Sequence, residues 1–223
     1  MKIDFVSDVS CPWCAIGLNA LEQALDRVAP DIQATLHFQP FELNPQMPAE
    51  GQDTVEHLSQ KYGIDAAQIA ANAEAIRQRG ASVGFTFGQG QRKRIYNTFD
   101  AHRLLHWAGL VDAGRQRALK HALFKAYFTD GLSPGDHGVL LAAAATAGLD
   151  AEQARSILAG DDFADDVREA EGFYHQQGIS SVPAIIINDR HLISGGQPVE
   201  LFERALRHIA AESATAATTG ASA

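Results

Sequence analysis

Apolar positions along this chain fall into two strand-like ends and a long helical middle. Ile3, Phe5 and Val6 form a short strand-type run over residues 2–7. Leu18, Leu21, Leu25 and Val28 follow at spacings of three and four, which predicts a helix over 12–28 that stops near Pro30. Residues 34–41 alternate, with Leu36, Phe38 and Phe41 apolar, and predict a second strand; Pro40 assigns it to an edge or a strand end. Strand, helix, strand is the start of a βαβ unit with parallel strands. From residue 54 to 176 the period is helical. Helices are predicted over 54–62, 65–79, 97–109, 114–128, 136–147, 151–160 and 163–177, with Gly109, Gly131, Gly148 and Gly160 at their ends. Residues 44–52 are polar and proline-containing and read as a loop. Residues 80–95, with Gly80, Gly84, Gly88 and Gly90 around Phe85 and Phe87, read as a mobile loop over a pocket. The strand pattern returns at 183–187, turns at Asn188-Asp189 and comes back through 190–194 as a hairpin; a helix near 199–210 follows Gly195-Gly196.

The two ends are therefore βαβ and ββα, and neither holds a sheet of its own. Docked together they give an α/β unit of four strands with a large all-helical insertion. The expected division is 1–43 with 178–211 as that unit, 44–177 as the inserted helical domain, and 212–223, small and low in complexity, as a disordered tail.

Both cysteines of the chain lie in Asp8-Val9-Ser10-Cys11-Pro12-Trp13-Cys14, where the first strand gives way to the first helix. A Cys-x-x-Cys at such a junction points to thiol–disulfide chemistry. The first turn of a helix has free N–H groups and partial positive charge, so a Cys11 thiolate is expected to be stabilised there. Pro12 loses no helical bond at that position, and Ser10 is read as the N-cap. On this reading Cys11 attacks and Cys14, deeper in the helix, resolves. Trp13 stands beside the sulfur as an apolar platform for substrate or a cover for Cys14. A structural zinc site needs two more ligands. The chain has no second cysteine pair, and His102 and His106 share a predicted helix without the glutamate of a His-Glu-x-x-His motif, so no metal is expected. Two inert buried cysteines would leave Pro-Trp between them unexplained.

The 223 residues are 46% hydrophobic and 20% charged, ordinary for a globular protein with a substantial core. A formal net charge of −9 argues against nucleic acid as a partner. The basic cluster Arg92-Lys93-Arg94, with Arg77 and Arg79, has the charge for an anionic ligand, but reads first as a solvated face. No run approaches the roughly 18 apolar residues of a membrane span, and Met1-Lys2-Ile3-Asp4 does not open a signal peptide. A cytoplasmic protein without membrane partners is expected. There a Cys-x-x-Cys pair cycles rather than staples.

The motif Ser7-Asp8-Val9-Ser10-Cys11-Pro12-Trp13-Cys14 is joined by Tyr96-Asn97-Thr98-Phe99-Asp100-Ala101-His102-Arg103-Leu104. Gly178-Ile179-Ser180-Ser181-Val182-Pro183 and Ser194-Gly195-Gly196-Gln197 complete the set. In this order, over roughly residues 1–210, they resemble the FrnE-like branch of the DsbA family of oxidoreductases, which is related to glutathione-dependent 2-hydroxychromene-2-carboxylate isomerases. The resemblance implies a thioredoxin-like fold (βαβ…ββα) whose helical insertion covers the site, with Pro183 as a cis-proline facing the cysteines. Val182 would then offer its backbone to an extended substrate segment. Asn97 and His102 would be neighbours of the active site. It implies a protein disulfide oxidoreductase with no bound cofactor, exchanging with thiol- or disulfide-containing proteins or small molecules, and with glutathione as possible cosubstrate or a cellular dithiol as redox partner. DsbA itself has Pro-His where this chain has Pro-Trp, which leaves the direction of electron flow open. The isomerase relatives typically carry serine at the position of Cys11. A glutathione-dependent isomerase or transferase for an aromatic or polyketide-like molecule is the second reading, and a non-enzymatic binding module the third.

Overall fold

The computed structural model describes residues 1–220. Its centre is β1 (Lys2–Ser7), which pairs parallel with β2 (Thr35–Pro40) and antiparallel with β5 (Ala184–Ile187); β5 pairs antiparallel with β6 (His191–Ser194), giving the order β2-β1-β5-β6. From Ile3 onward every residue of β1 is buried, as befits a strand covered on both faces. The hairpin turns where expected. Asn188 and Asp189 take left-handed backbone (φ 52° and 55°), which these two residue types tolerate, and Arg190 N–H donates to Ile187 O at 3.2 Å. The helix α1 (Pro12–Val28) covers one face of the sheet together with α9 (Val199–Gly220).

Between β2 and β5 the chain forms α2 (Thr54–Tyr62), α3 (Ala66–Ser82), α4 (Phe99–Val111), α5 (Ala113–Phe124), α6 (His137–Thr146), α7 (Ala151–Ala159) and α8 (Ala164–Gln176). Asp53, Asp65, Asp112, Asp136 and Asp150 cap α2, α3, α5, α6 and α7, each carboxylate accepting first-turn N–H groups. This is the thioredoxin-like fold with a helical insertion.

Three local features differ from the sequence expectation. Two dipeptide strands, β3 (Gln52–Asp53) and β4 (Arg94–Ile95), pair antiparallel where loops were expected; two residues are too few to show a period. The expected helix 114–128 ends at Phe124 and continues as a π-helical turn, Lys125–Thr129, which buries Tyr127 and Phe128. The expected tail continues α9 through Gly220, because 211–219 is alanine-rich and lacks glycine and proline; residues 221–223 of that tail lie outside the described residues.

The main core joins β1, β2, β5, α1 and α9 to Val83, Phe85, Phe124, Tyr127 and Phe128 of the intervening segment. The glycine-rich loop is thus a core-filling element rather than a cover over a pocket. Phe85 and Phe87 meet Phe128 edge-on, with ring centres 6.4 and 5.2 Å away, and a Cβ on Gly80 would stand 2.5 Å from the Phe87 ring. A second cluster packs α4–α7 around Leu104, Leu119 and Leu140 and takes in Val9 from the cysteine loop. Among the described residues no helix is long and apolar enough to cross a membrane.

Because Phe128 is fully buried among Phe85, Phe87, Phe124 and Tyr127, Phe128→Ala should cost about 3–5 kcal/mol in urea unfolding. Truncation of the exposed Leu110 should stay within about 0.5 kcal/mol.

Candidate active site at the start of α1

β1 ends at Ser7, and Asp8–Ser10 turn the chain into α1. Cys11 itself holds the cap position, Pro12 opens the helix, and Cys14 and Ala15 donate to Cys11 O at 3.1 and 3.4 Å. Ser10 is not the cap that its position predicted; its hydroxyl donates to Asp8 Oδ2 at 2.8 Å. Both cysteines are free thiols, Cys14 fully buried and Cys11 3% exposed, while Trp13 between them is 42% exposed. Burial, and after it the neighbouring Cys11 sulfur, push the Cys14 thiol well above its ordinary pKa; the Lys120 charge acts against this.

The C-terminal half brings its residues to the same point. The Val182-Pro183 bond is cis, as the family resemblance implied, and Cys11 Sγ lies 3.5 Å from Val182 O. Two glycines permit this approach. A Cβ on Gly17 would meet Pro183 Cγ at 3.1 Å and Gly196 Cα at 3.2 Å, and one on Gly196 would meet Trp13 O at 2.9 Å. α1 therefore lies directly against the cis-proline and the loop after β6, with Gly195 N–H donating to Pro183 O at 2.8 Å.

Asp8 organises the loop from below. Its buried carboxylate accepts from Ser10 N–H (3.0 Å), Ser10 Oγ (2.8 Å), Leu43 N–H (2.7 Å) and Thr98 Oγ1 (2.8 Å). His102, also buried, brings Nε2 to 3.5 Å from Asp8 Oδ1, an ion-pair distance without hydrogen-bond geometry. Burial by itself would raise the Asp8 pKa; the His102 imidazole and the N–H groups of Leu43 and Ser10 outweigh it and hold it down at about 2. Asn97 does not join this network. It accepts from Phe99 N–H at 2.9 Å and donates to Pro45 O at 3.4 Å, shaping the entry to α4.

Two cations belong to the surroundings of this loop that the sequence does not place there. Arg92, read there as part of a solvated face, is half-buried. Its Nε donates to Tyr127 Oη at 3.0 Å, its Nη2 reaches Ser10 O at 3.4 Å, and its guanidinium stacks 5.5 Å from the ring centres of Tyr127 and Phe128. The signal was present in the cluster 92–94, but only the π-helical turn shows which of the three turns inward. Lys120 is fully buried on α5, and burial lowers its pKa to about 8 against the opposing pull of Cys14, Asp8 and Cys11. One charged residue within an amphipathic helix carries no such mark in sequence. Among the described residues no three His, Cys, Asp or Glu side chains are grouped to hold a metal ion.

A buried Cys-x-x-Cys dithiol capping a helix against a cis-proline, on a sheet of order β2-β1-β5-β6, defines a thioredoxin-type site. Residues 2–207 match the model of the DSBA-like thioredoxin domain, and the chain belongs to that family. A probable DsbA oxidoreductase of Streptomyces coelicolor is 34% identical with a TM-score of 0.86, covering 93% of this chain and 89% of its own. A 2-hydroxychromene-2-carboxylate isomerase superimposes with a TM-score of 0.70 at 15% identity (96% and 98% covered). The cytosolic disulfide reductase DsbM of Pseudomonas aeruginosa, solved with GSH, does so with 0.65 at 15% (93% and 98% covered). These last two are similar in fold.

An amide at position 8 has one acceptor oxygen for donors that converge on two. Asp8→Asn should therefore destabilise the protein by about 2–4 kcal/mol at pH 7. The folded pKa of Asp8 lies below its ordinary value of 3.8, at about 2. The carboxylate's contribution is thus complete above pH about 4 and lost as pH falls toward 2. The stability gap between wild type and Asp8→Asn should narrow by about 2 kcal/mol over that window, read by urea unfolding at a series of pH values.

Proposed function

We propose that this chain is a thiol–disulfide oxidoreductase working through Cys11-Pro12-Trp13-Cys14. The observation that carries the reading is the meeting of Cys11 Sγ, at the N-terminus of α1, with the carbonyl of Val182 before cis-Pro183. The thiolate is the attacking form in disulfide exchange, and Cys11, at the cap of α1, is the cysteine placed at the Val182 carbonyl. The Val182 backbone, at the open end of β5, can pair with an extended substrate segment by strand addition and so hold a substrate sulfur at Cys11.

In the reductive direction Cys11 attacks a substrate disulfide. A mixed disulfide forms and one substrate thiol leaves. Cys14 then attacks Cys11 Sγ and releases the second thiol, so the enzyme dithiol becomes a disulfide while the substrate gains two electrons. The oxidative direction is the same sequence reversed. Trp13, exposed beside the sulfurs, serves as the apolar wall of the substrate groove. His102 acts through Asp8, fixing the loop that carries Cys11, rather than on substrate. The division 1–43 with 178–211 against 44–177 assigns the cysteine pair and Pro183 to one unit and the supporting Asp8 partners Thr98 and His102 to the other.

Glutathione is the proposed low-molecular-weight partner. The solved complex of the similarly folded DsbM with GSH supports it. So does Arg92, a cation held at the Ser10 carbonyl next to Cys11, which suits an anionic tripeptide. A chain whose two cysteines both belong to the exchange motif suits a reducing, cytoplasmic setting.

The reading predicts that Cys11→Ser abolishes reduction of insulin or of glutathione disulfide, and that Cys14→Ser retains the first attack and accumulates a mixed disulfide visible by intact mass. Undiminished turnover in Cys11→Ser would refute it. Glutathione binding without disulfide turnover in the wild type would instead favour an isomerase or transferase.

A further inference from the structure

The four-stranded sheet treats its two edges differently. Along β2 the outward backbone is covered. Phe38 N–H donates to Gln116 Oε1 at 3.1 Å, Phe38 O accepts from Gln116 Nε2 at 3.1 Å, and the strand ends on Pro40, which has no N–H to offer. β6 has no such cover. Bonds between antiparallel strands alternate along the pair. Gly195 N–H donates to Pro183 O at 2.8 Å, Ile193 pairs with Ile185 and His191 with Ile187, so His191, Ile193 and Gly195 spend their backbone groups on β5. Leu192 and Ser194, both exposed, point theirs away from the sheet. Ser194 O is taken by Gln197 Nε2 at 2.7 Å. Among the described residues, none donates to Leu192 O or accepts from its N–H. β6 is short, but His-Leu-Ile-Ser carries no lysine, proline or bulge to turn another strand away.

The face beside this edge is apolar and open. Asp4, Ile186 and Leu192 stand directly opposite one another on β1, β5 and β6 and form one cross-strand row. That row lines a groove of about 260 Å³, walled by Phe173, Tyr174 and Gln177 of α8. At the inner end of the row the Asp4 carboxylate is satisfied by Lys2 at 2.9 Å and Gln39 at 2.7 Å. At the outer end Leu192 is 54% exposed, as is Phe173. The row therefore stops at the sheet edge with a large apolar side chain half in water, where the next strand of a wider sheet would supply its neighbour.

We propose that the outer edge of β6 is the contact surface between two copies of this chain, paired antiparallel about a two-fold axis at Leu192. A second copy fits because the edge is complementary to itself. With the axis perpendicular to the sheet, each Leu192 N–H donates to the other C=O, and the free groups satisfy each other. Residues directly opposite share one face of a sheet. Leu192 thus meets the partner's Leu192 on the groove face, and the two half-exposed leucines cover each other. His191 stands opposite the partner's Ile193, and Arg190, just before the strand, opposite the partner's Ser194, so no like charges are opposed. A one-residue slip would carry the α1 and α9 side of one copy to the groove side of the other. The sheet then runs unbroken through both copies. The contact borders the Gly195-Gly196 loop, where a Cβ on Gly196 would stand 2.9 Å from Trp13 O, so it adjoins the segment packed on the cysteine motif.

The test is the mass of the full chain by sedimentation equilibrium across a dilution series. The wild type should pass from twice 23.9 kDa to 23.9 kDa on dilution, with the dimer dominant at about 100 μM. Leu192→Lys, which sets two like charges at the axis, should weaken dimerisation by at least about tenfold. Its circular dichroism should match the wild type, because Leu192 is exposed. The register is read by Leu192→Cys in a Cys11→Ser, Cys14→Ser background. The two Cα atoms of this hydrogen-bonded pair should lie about 5.5 Å apart, within the span of a disulfide, so mild oxidation should link two chains. Ser194→Cys in the same background, whose opposite number is Arg190, should not link. A wild type that is monomeric at about 100 μM would overturn the proposal and assign the free edge to a strand of another protein. A dimer indifferent to Leu192→Lys, or one that Leu192→Cys fails to link, would place the interface elsewhere and overturn it as well. Should Leu192→Lys fail to fold, the cross-link decides.

Discussion

The cysteine loop is held by one buried carboxylate. Asp8 accepts four hydrogen bonds, from Ser10 twice, from Leu43 just past β2 and from Thr98 at the entry to α4. Those donors come from the first strand–helix junction, the sheet edge and the helical segment, so one charge fixes all three relative to Cys11. A buried ion survives only where its lone pairs are fully engaged, and here each bond to Asp8 is also a positional constraint on the site. His102 Nε2 closes the other side, 3.5 Å from Asp8 Oδ1. The result is a helix start rigid enough to be pressed against cis-Pro183 through Gly17 and Gly196, with no side chain between them.

The electrostatics of the pair then come from outside the motif. Between the cysteines stand proline and tryptophan, neither of which can be charged. The cations are Arg92, folded inward over Tyr127 and Phe128 to the Ser10 carbonyl, and Lys120, buried on α5. Both belong to the segment between β2 and β5; Arg92 rests on Tyr127 and Phe128 of the π-helical turn, and Lys120 lies over Phe124 at the end of α5, all three rings being part of the core shared with α1. The helical insertion therefore supplies part of the core and of the electrostatic environment of the cysteines.

Much of this was legible in the sequence because the signals were long or chemically singular. The 12–28 helix follows from Leu18, Leu21, Leu25 and Val28, the hairpin from Asn188-Asp189, and the reactive pair from a Cys-x-x-Cys at a strand–helix junction. The role of Pro183 came only from family resemblance, since a proline at a strand start is unremarkable by pattern. Other features left no periodic trace. β3 and β4 are two residues each, and the π-turn is one extra residue in an otherwise helical run. The inward turn of Arg92 is a tertiary choice among three adjacent basic residues. Residue type favours Ser10 as a helix cap, yet Asp8, two residues earlier, offers the stronger charged acceptor. Asn97 and His102 came from one motif and part company in space, His102 reaching Asp8 and Asn97 holding Pro45.

The central claim is that Cys11 and Cys14 form one reversible two-electron couple. Equilibrating the protein across ratios of reduced to oxidised glutathione, and following Trp13 fluorescence with alkylation of free thiols, tests it most directly. The account predicts a single transition with a slope of about 30 mV per tenfold change, with no intramolecular disulfide in either serine variant and only a glutathione mixed disulfide in Cys14→Ser. Two thiols that remain alkylatable across the whole range, or two independent one-thiol transitions, would contradict it.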